Sequence, residues 1–161
     1  MYKTAIPISI ESMHSDLDKS LNKYLKYCQK GNIERVFIAI LQGVYSKSNL
    51  VDTKSELIKK AIDFFKSNKI ETGVWIGGFG HGSNLSHDVG GDKKRDYQKI
   101  AGVLGEEFEH GYCPLDEKFT EDYLDLVKRV AEMNPDMIML DDDFRLASFR
   151  AYDMGCFCPL H

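Results

Sequence analysis

Three consecutive carboxylates close the run Met137-Ile138-Met139-Leu140-Asp141-Asp142-Asp143, with Phe144 and Arg145 next. Carboxylates so crowded repel one another unless water, a metal ion or a cation such as Arg145 relieves them. In extended backbone Asp141 and Asp143 share a direction while Asp142 faces the other way. One of them is thereby a candidate general acid. A solvated turn whose aspartates cap a following helix, or a divalent cation site, would explain the same residues. The second cluster is Cys156-Phe157-Cys158-Pro159-Leu160-His161, three soft ligands within one short stretch. Zinc takes four ligands, and Cys113 can supply the fourth; a closed Cys3His set is structural, not catalytic. Free thiols or a disulfide to Cys113 are the competing readings, and C-x-C spacing strains any bond between Cys156 and Cys158. The third feature is His81 between Gly80 and Gly82. Glycine lets backbone approach a ligand closely while the imidazole offers a hydrogen bond, although an incidental histidine in a turn reads the same way. Trp75 and Phe79 could stack on a sugar ring, but in the run GVWIGGF a core position suits Trp75 better.

These groups need elements to position them, and four short apolar runs supply the frame. Ala5 to Ile10 leads into Leu17, Leu21, Leu25 and Cys28 at helical spacing, with Gly31 as the expected stop. Arg35 to Leu41 is continuously apolar after its first residue, and Thr53 with Glu56 forms a capping box before Leu57, Ile58, Ala61, Ile62 and Phe65. Gly73 to Gly77 is the third run. The long connection 78–118 follows, and Thr120 is the expected cap of a helix over 119–133 that ends at Pro135. Met137 to Leu140 is the fourth. Buried strands alternating with helices predict a parallel sheet, and no G-x-G-x-x-G follows the first strand, which speaks against a dinucleotide-binding fold. Ligands of such folds lie beyond the carboxyl ends of the strands. Glu11, Gln42, Tyr45, His81 and Asp141 to Arg145 occupy those places.

Bulk properties narrow the function classes. The 161 residues are 43% hydrophobic and 11% aromatic, enough for one packed domain spanning 1–161. The formal net charge is −4 with Lys and Arg scattered among Asp and Glu, so no basic face for nucleic acid is expected. No stretch approaches the roughly 20 apolar residues of a membrane span, and Cys28 on an apolar helical stripe suits a reducing compartment, so the cytoplasm is the expected location. No organic cofactor is expected.

Together these residues resemble the first half of the catalytic barrel in glycoside hydrolase family 42, the β-galactosidase-like enzymes. The likeness covers roughly residues 72 to 161, and the earlier segments only by architecture. In that family a cysteine follows the third strand, a helix leads to a fourth strand ending in Asp-Asn-Glu, and a C-x-C-x-x-C cluster comes next. Here Cys113-Pro114, Asp141-Asp142-Asp143, and Cys156, Cys158 and His161 hold those places. The resemblance implies a parallel (β/α) barrel of which the first four βα units are present, a partial TIM barrel. It implies structural zinc on Cys113, Cys156, Cys158 and His161. Asp143 would be the general acid/base, one methylene shorter than the usual Glu. Asp141, Asp142, His81, Arg145 and Glu11 would contact a carbohydrate substrate. The clan's nucleophile follows a seventh strand, so this chain alone is expected to be catalytically poor. It should pair with a second copy or with the remainder of a longer chain. A non-catalytic carbohydrate-binding or assembly module is the alternative.

Overall fold

The structure, a computed structural model, describes residues 3–13, 16–40, 50–78, 85, 96–141 and 155–161. They divide into two compact units, the first made of 1–40, 50–76 and 129–139, the second of 41–49, 77–128 and 140–161.

The first unit is built on a parallel sheet. Strand β1 (Ala5–Ser9) pairs with β2 (Arg35–Ala39), and β2 with β3 (Glu71–Ile76), in the registers Ala5↔Arg35 and Arg35↔Glu71. Strand β6 (Met137–Leu140) completes the order β1-β2-β3-β6. Helix α1 (Leu17–Gly31) follows β1 through a 3-10 turn at Ile10–Met13, and α2 (Leu50–Ser67) lies between β2 and β3 in sequence. Val36 and Ile38 alternate inward on β2 and are wholly buried, as are Ile58, Ala61, Ile62 and Phe65 at helical spacing on α2. These two periodicities bring hydrocarbon to one layer between helix and sheet. The other face of β2, with Arg35, Phe37 and Ala39, is only half-buried. Gly73 on β3 lies under Phe37, where an added Cβ would collide with the ring and force it to move.

Strand β6 is placed by polar contacts at its start. The backbone N–H and hydroxyl of Thr72 both donate to Asp136 Oδ2, at 2.8 and 3.2 Å, and Asp136 N–H returns a bond of 2.8 Å to Thr72 O. Lys66 donates to Asn134 O at 2.9 Å and pairs with Asp136 at 3.3 Å. The Thr72 N–H, aided by Lys66, holds the Asp136 carboxyl below its ordinary range despite some desolvation. Lys3 and Arg35 converge on Glu71 and lower its pKa in the same way.

Several expectations need correction. The chain is not four successive units of a (β/α) barrel. It has a four-stranded parallel sheet with β1 and β6 at its edges, and an antiparallel hairpin, β4 (Lys99–Ala101) with β5 (Glu107–Tyr112), between β3 and α3. The segment 96–112 is not a structureless connection, because Tyr97, Ile100, Ala101 and Tyr112 are buried and give it a core. Helix boundaries differ too. Asn32, not Gly31, takes the left-handed conformation after α1, at φ 49°, and its N–H bonds to Cys28 O. Helix α2 begins at Leu50, so Thr53 and Glu56 lie inside it and form no capping box; burial of Val51 draws the start a turn earlier. Helix α3 (Glu117–Glu132) is capped by Asp116, not Thr120, whose hydroxyl donates to Pro114 O at 2.8 Å.

Candidate metal centre

The hairpin belongs to the second unit and supplies the platform for the cysteines. Its turn closes with Gly102 N–H on Glu106 O at 2.8 Å. Beyond β5, Cys113 N–H bonds to Gln98 O at 2.8 Å, which extends the hairpin pairing by one step. The last described segment begins at Gly155, whose φ of +101° suits glycine and few other residues. Phe157 N–H then bonds to Ala101 O at 2.8 Å, which ties the last segment to β4. Cys113, Cys156 and Cys158 are thereby buried in one apolar cluster with Ile100 and Ala101, and Phe108 packs against it.

Two of the cysteines sit in matching turns. Cys113-Pro114-Leu115-Asp116 closes with Asp116 N–H on Cys113 O at 3.0 Å, and Cys158-Pro159-Leu160-His161 closes with His161 N–H on Cys158 O, also at 3.0 Å. Proline in second place presets the φ that such turns require. In each, the N–H of the leucine donates to the thiol sulfur two residues earlier. The turns differ in their last residue. Asp116 caps α3, accepting from Phe119 N–H at 2.9 Å with Oδ1 and from Gln98 N–H at 2.6 Å with Oδ2. His161 instead turns its ring onto the sulfurs, with Nδ1 at 3.5 Å from Cys113 Sγ and 3.8 Å from Cys158 Sγ.

The sulfurs of Cys113, Cys156 and Cys158 and a ring nitrogen of His161 all lie within 4.8 Å of one another, a group that could hold a metal ion. Its dimensions fit a tetrahedral ion. With metal–sulfur bonds near 2.3 Å and metal–nitrogen near 2.0 Å, a sulfur–nitrogen edge of the tetrahedron is about 3.5 Å; the Cys113–His161 separation matches it and the Cys158–His161 separation is a few tenths of an ångström longer. The electrostatics point the same way. Burial pushes the Cys113 thiol up to about 12, opposed by the Leu115 N–H and reinforced by the two neighbouring cysteines. Burial also raises Cys158, but His161, the Leu160 N–H and the other two thiols outweigh it and bring Cys158 down to about 7. Three thiolates cannot stand this close together without a cation to offset them.

The repeated Cys-Pro-Leu tripeptide went unused in the sequence reading, although it marks two equivalent turns. The remaining candidates are placed less fully. Asp141 follows β6 and is half-buried. Glu11 lies in the 3-10 turn directly after β1, its side chain outside the described residues. Asp142, Asp143, Arg145 and His81 lie outside the described residues, as do Gln42 and Tyr45. A cleft of the first unit beside α2, lined by Val51, Ser55, Lys59 and Arg129 among others, contains none of the residues proposed from sequence as ligands or substrate contacts. No described helix is long and apolar enough to cross a membrane. No protein-family model matches the chain and no curated protein is similar to it in sequence.

Proposed function

We propose that Cys113, Cys156, Cys158 and His161 hold one structural zinc ion. The spacing of the donors carries this reading: three thiols and an imidazole, mutually within 4.8 Å, with the Cys113–His161 edge at tetrahedral length. Thiolate and imidazole donors suit zinc, and four of them fill its shell, leaving no position for a reacting water. With Nδ1 as the ligand atom, Nε2 carries the ring proton. Elemental analysis of protein purified without added metal should give about one zinc per chain; a value well below that, with all four residues intact, sinks the reading.

The activity we propose is carbohydrate-directed, glycosyl bond hydrolysis of the β-galactosidase-like kind in the complete protein. Its support is the order of parts: Cys113 before α3, β6 running into Asp141-Asp142-Asp143, then Cys156, Cys158 and His161 joining Cys113 in one cluster. That is the order implied by the family-42 resemblance, and it does not depend on a closed barrel. Asp143 is the proposed acid/base, with Asp141, Asp142, Arg145, His81 and Glu11 around the sugar. A second copy or further chain would supply the partner carboxylate that retaining hydrolysis needs about 5 Å away. Asp143→Asn in the complete protein should lower aryl-galactoside hydrolysis by roughly 10²- to 10⁴-fold. Unchanged hydrolysis removes the catalytic role, and sugar binding without any hydrolysis favours the non-catalytic module. A cytoplasmic setting accords with four cysteines that form no disulfide.

A further inference from the structure

We propose that the cleft beside α2 in the first unit binds a small amphoteric molecule, a free amino acid with an apolar side chain. The cleft has a volume of about 370 Å³ and is lined by α2 and by the last turn of α3. That is near the lower end of the roughly 300 to 1,000 Å³ of small-ligand sites, so it admits one compact molecule and not a long peptide. Val51 of α2 and Met133, just after α3, give it an apolar lining, and both are buried. Four charged side chains stand around that lining, an acid and a base from each helix: Glu56 and Lys59 on α2, Arg129 and Glu132 on α3. All of these residues belong to the first unit, and none is shared with the metal centre.

The arrangement of charge selects the ligand. Elsewhere in this unit charged side chains neutralise one another: Lys3 and Arg35 meet Glu71, Lys60 meets Asp18, and Lys66 meets Asp136. At the cleft Glu56 and Lys59 are three residues apart on one helix, as are Arg129 and Glu132 on the other, a spacing that permits pairing. Neither pair forms, and Glu56, Lys59 and Glu132 make no side-chain hydrogen bond or ion pair with any described residue. An anion alone would meet two carboxylates, and a cation alone would meet Lys59 and Arg129. A molecule carrying one charge of each sign finds an opposite charge for both. Its carboxylate pairs with Lys59, its ammonium with Glu56 or Glu132, and its hydrocarbon covers Val51 and Met133. The half-buried Ser55, also in the lining, offers a hydroxyl to the carboxylate.

The test follows the amide resonances of the full, isotope-labelled chain during titration with L-leucine and L-methionine up to millimolar concentrations. Two analogues of leucine each lack one charge: isocaproate has no ammonium and isoamylamine no carboxylate. Saturable shifts centred on 51–59 and 129–133, with either analogue at least about tenfold weaker than leucine, are the expected result, because each analogue forfeits one charge-assisted contact. Lys59→Gln, and Glu56→Gln combined with Glu132→Gln, should each weaken leucine by a similar factor. All three side chains are exposed, so these variants keep the fold, and unchanged spectra of the unliganded protein check that. No shift with either amino acid, shifts centred elsewhere in the chain, isocaproate or isoamylamine binding as tightly as leucine, or undiminished leucine binding to Lys59→Gln overturns the site.

Discussion

Ile38, Ile58, Ile62, Phe65 and Ile76 are wholly buried in the unit that holds the parallel sheet, whereas the unit that holds the hairpin buries Tyr97, Tyr112, Tyr123 and three thiols beside its hydrocarbon. The first set carries no polar atom, so removing it from water is favourable without further conditions. The second set carries a hydroxyl or a thiol on each side chain, and every such group needs a partner once buried. Tyr97 donates to Asp122 and Tyr123 to Gly77 O at 2.9 Å. Burial pushes the Tyr123 hydroxyl up to about 12, so it remains a neutral donor. Among the described residues the three thiols have one another, His161 and two backbone N–H groups. A core of polar-ended side chains is ordered by its partners, and here a cation would be one of them.

The largest expected effect separates the units by metal removal. A strong chelator at neutral pH should speed amide exchange over 98–116 and 155–161 by roughly a hundredfold or more, since structural zinc contributes on the order of 10 kcal/mol in small zinc-dependent folds. Exchange in α1 and in β2 and β3 should change little. Equal acceleration everywhere would end the contrast between the units.

Phe65→Ala probes the other side of the comparison. Phe65 is fully buried and stands edge-on to Phe64 at 5.4 Å between ring centroids. Its truncation should destabilise the first unit by about 3 to 5 kcal/mol, from lost transfer energy and the cavity left behind. Zinc content should stay at the wild-type level. Loss of metal in a variant that still shows wild-type near-UV circular dichroism would mean that the two cores are not independent in origin.

The smallest effect is a dependence on pH confined to the first unit. Asp136 has its pKa lowered by Thr72 and Lys66, so the folded state favours its ionised form. A lowered pKa gives stability that is present above the ordinary carboxylate value and is lost as pH falls through the folded value. Asp136→Asn should therefore lower the urea midpoint at neutral pH and flatten its fall below about pH 4, where the unfolded carboxyl takes up its proton. The carboxyl is about one-third exposed, so the change should be modest. An acid limb unaltered by the substitution would remove Asp136 from the account.

How much of this was legible in the sequence depends on whether a feature is local. The apolar runs at Ala5, Arg35, Gly73 and Met137 coincide with β1, β2, β3 and β6, because strand-forming hydrocarbon advertises itself by composition. The hairpin was missed although Glu107-Phe108-Glu109-His110-Gly111-Tyr112 alternates in period two, since each strand is short and rich in charge. Caps were misread at Thr53 and Thr120 for a different reason. A side chain able to cap is common, and burial of Val51 and Phe119 decides where the helix begins.

By itself the sequence determined which atoms could bind a metal, because sulfur and imidazole chemistry belongs to the residue type, and C-x-C spacing ruled out an unstrained bond between Cys156 and Cys158. It also determined the hydrocarbon stripes that make α1, α2 and the central strands. Only the tertiary structure decided that Cys113 meets residues more than forty positions later, that Nδ1 is the nitrogen turned toward the sulfurs, and that an antiparallel hairpin interrupts the succession of βα units. Those outcomes turn on the hydrogen bonds Cys113 N–H to Gln98 O and Phe157 N–H to Ala101 O, which join segments far apart in the chain. Backbone groups are alike at every residue, so no pattern of side-chain types announces such pairings in advance.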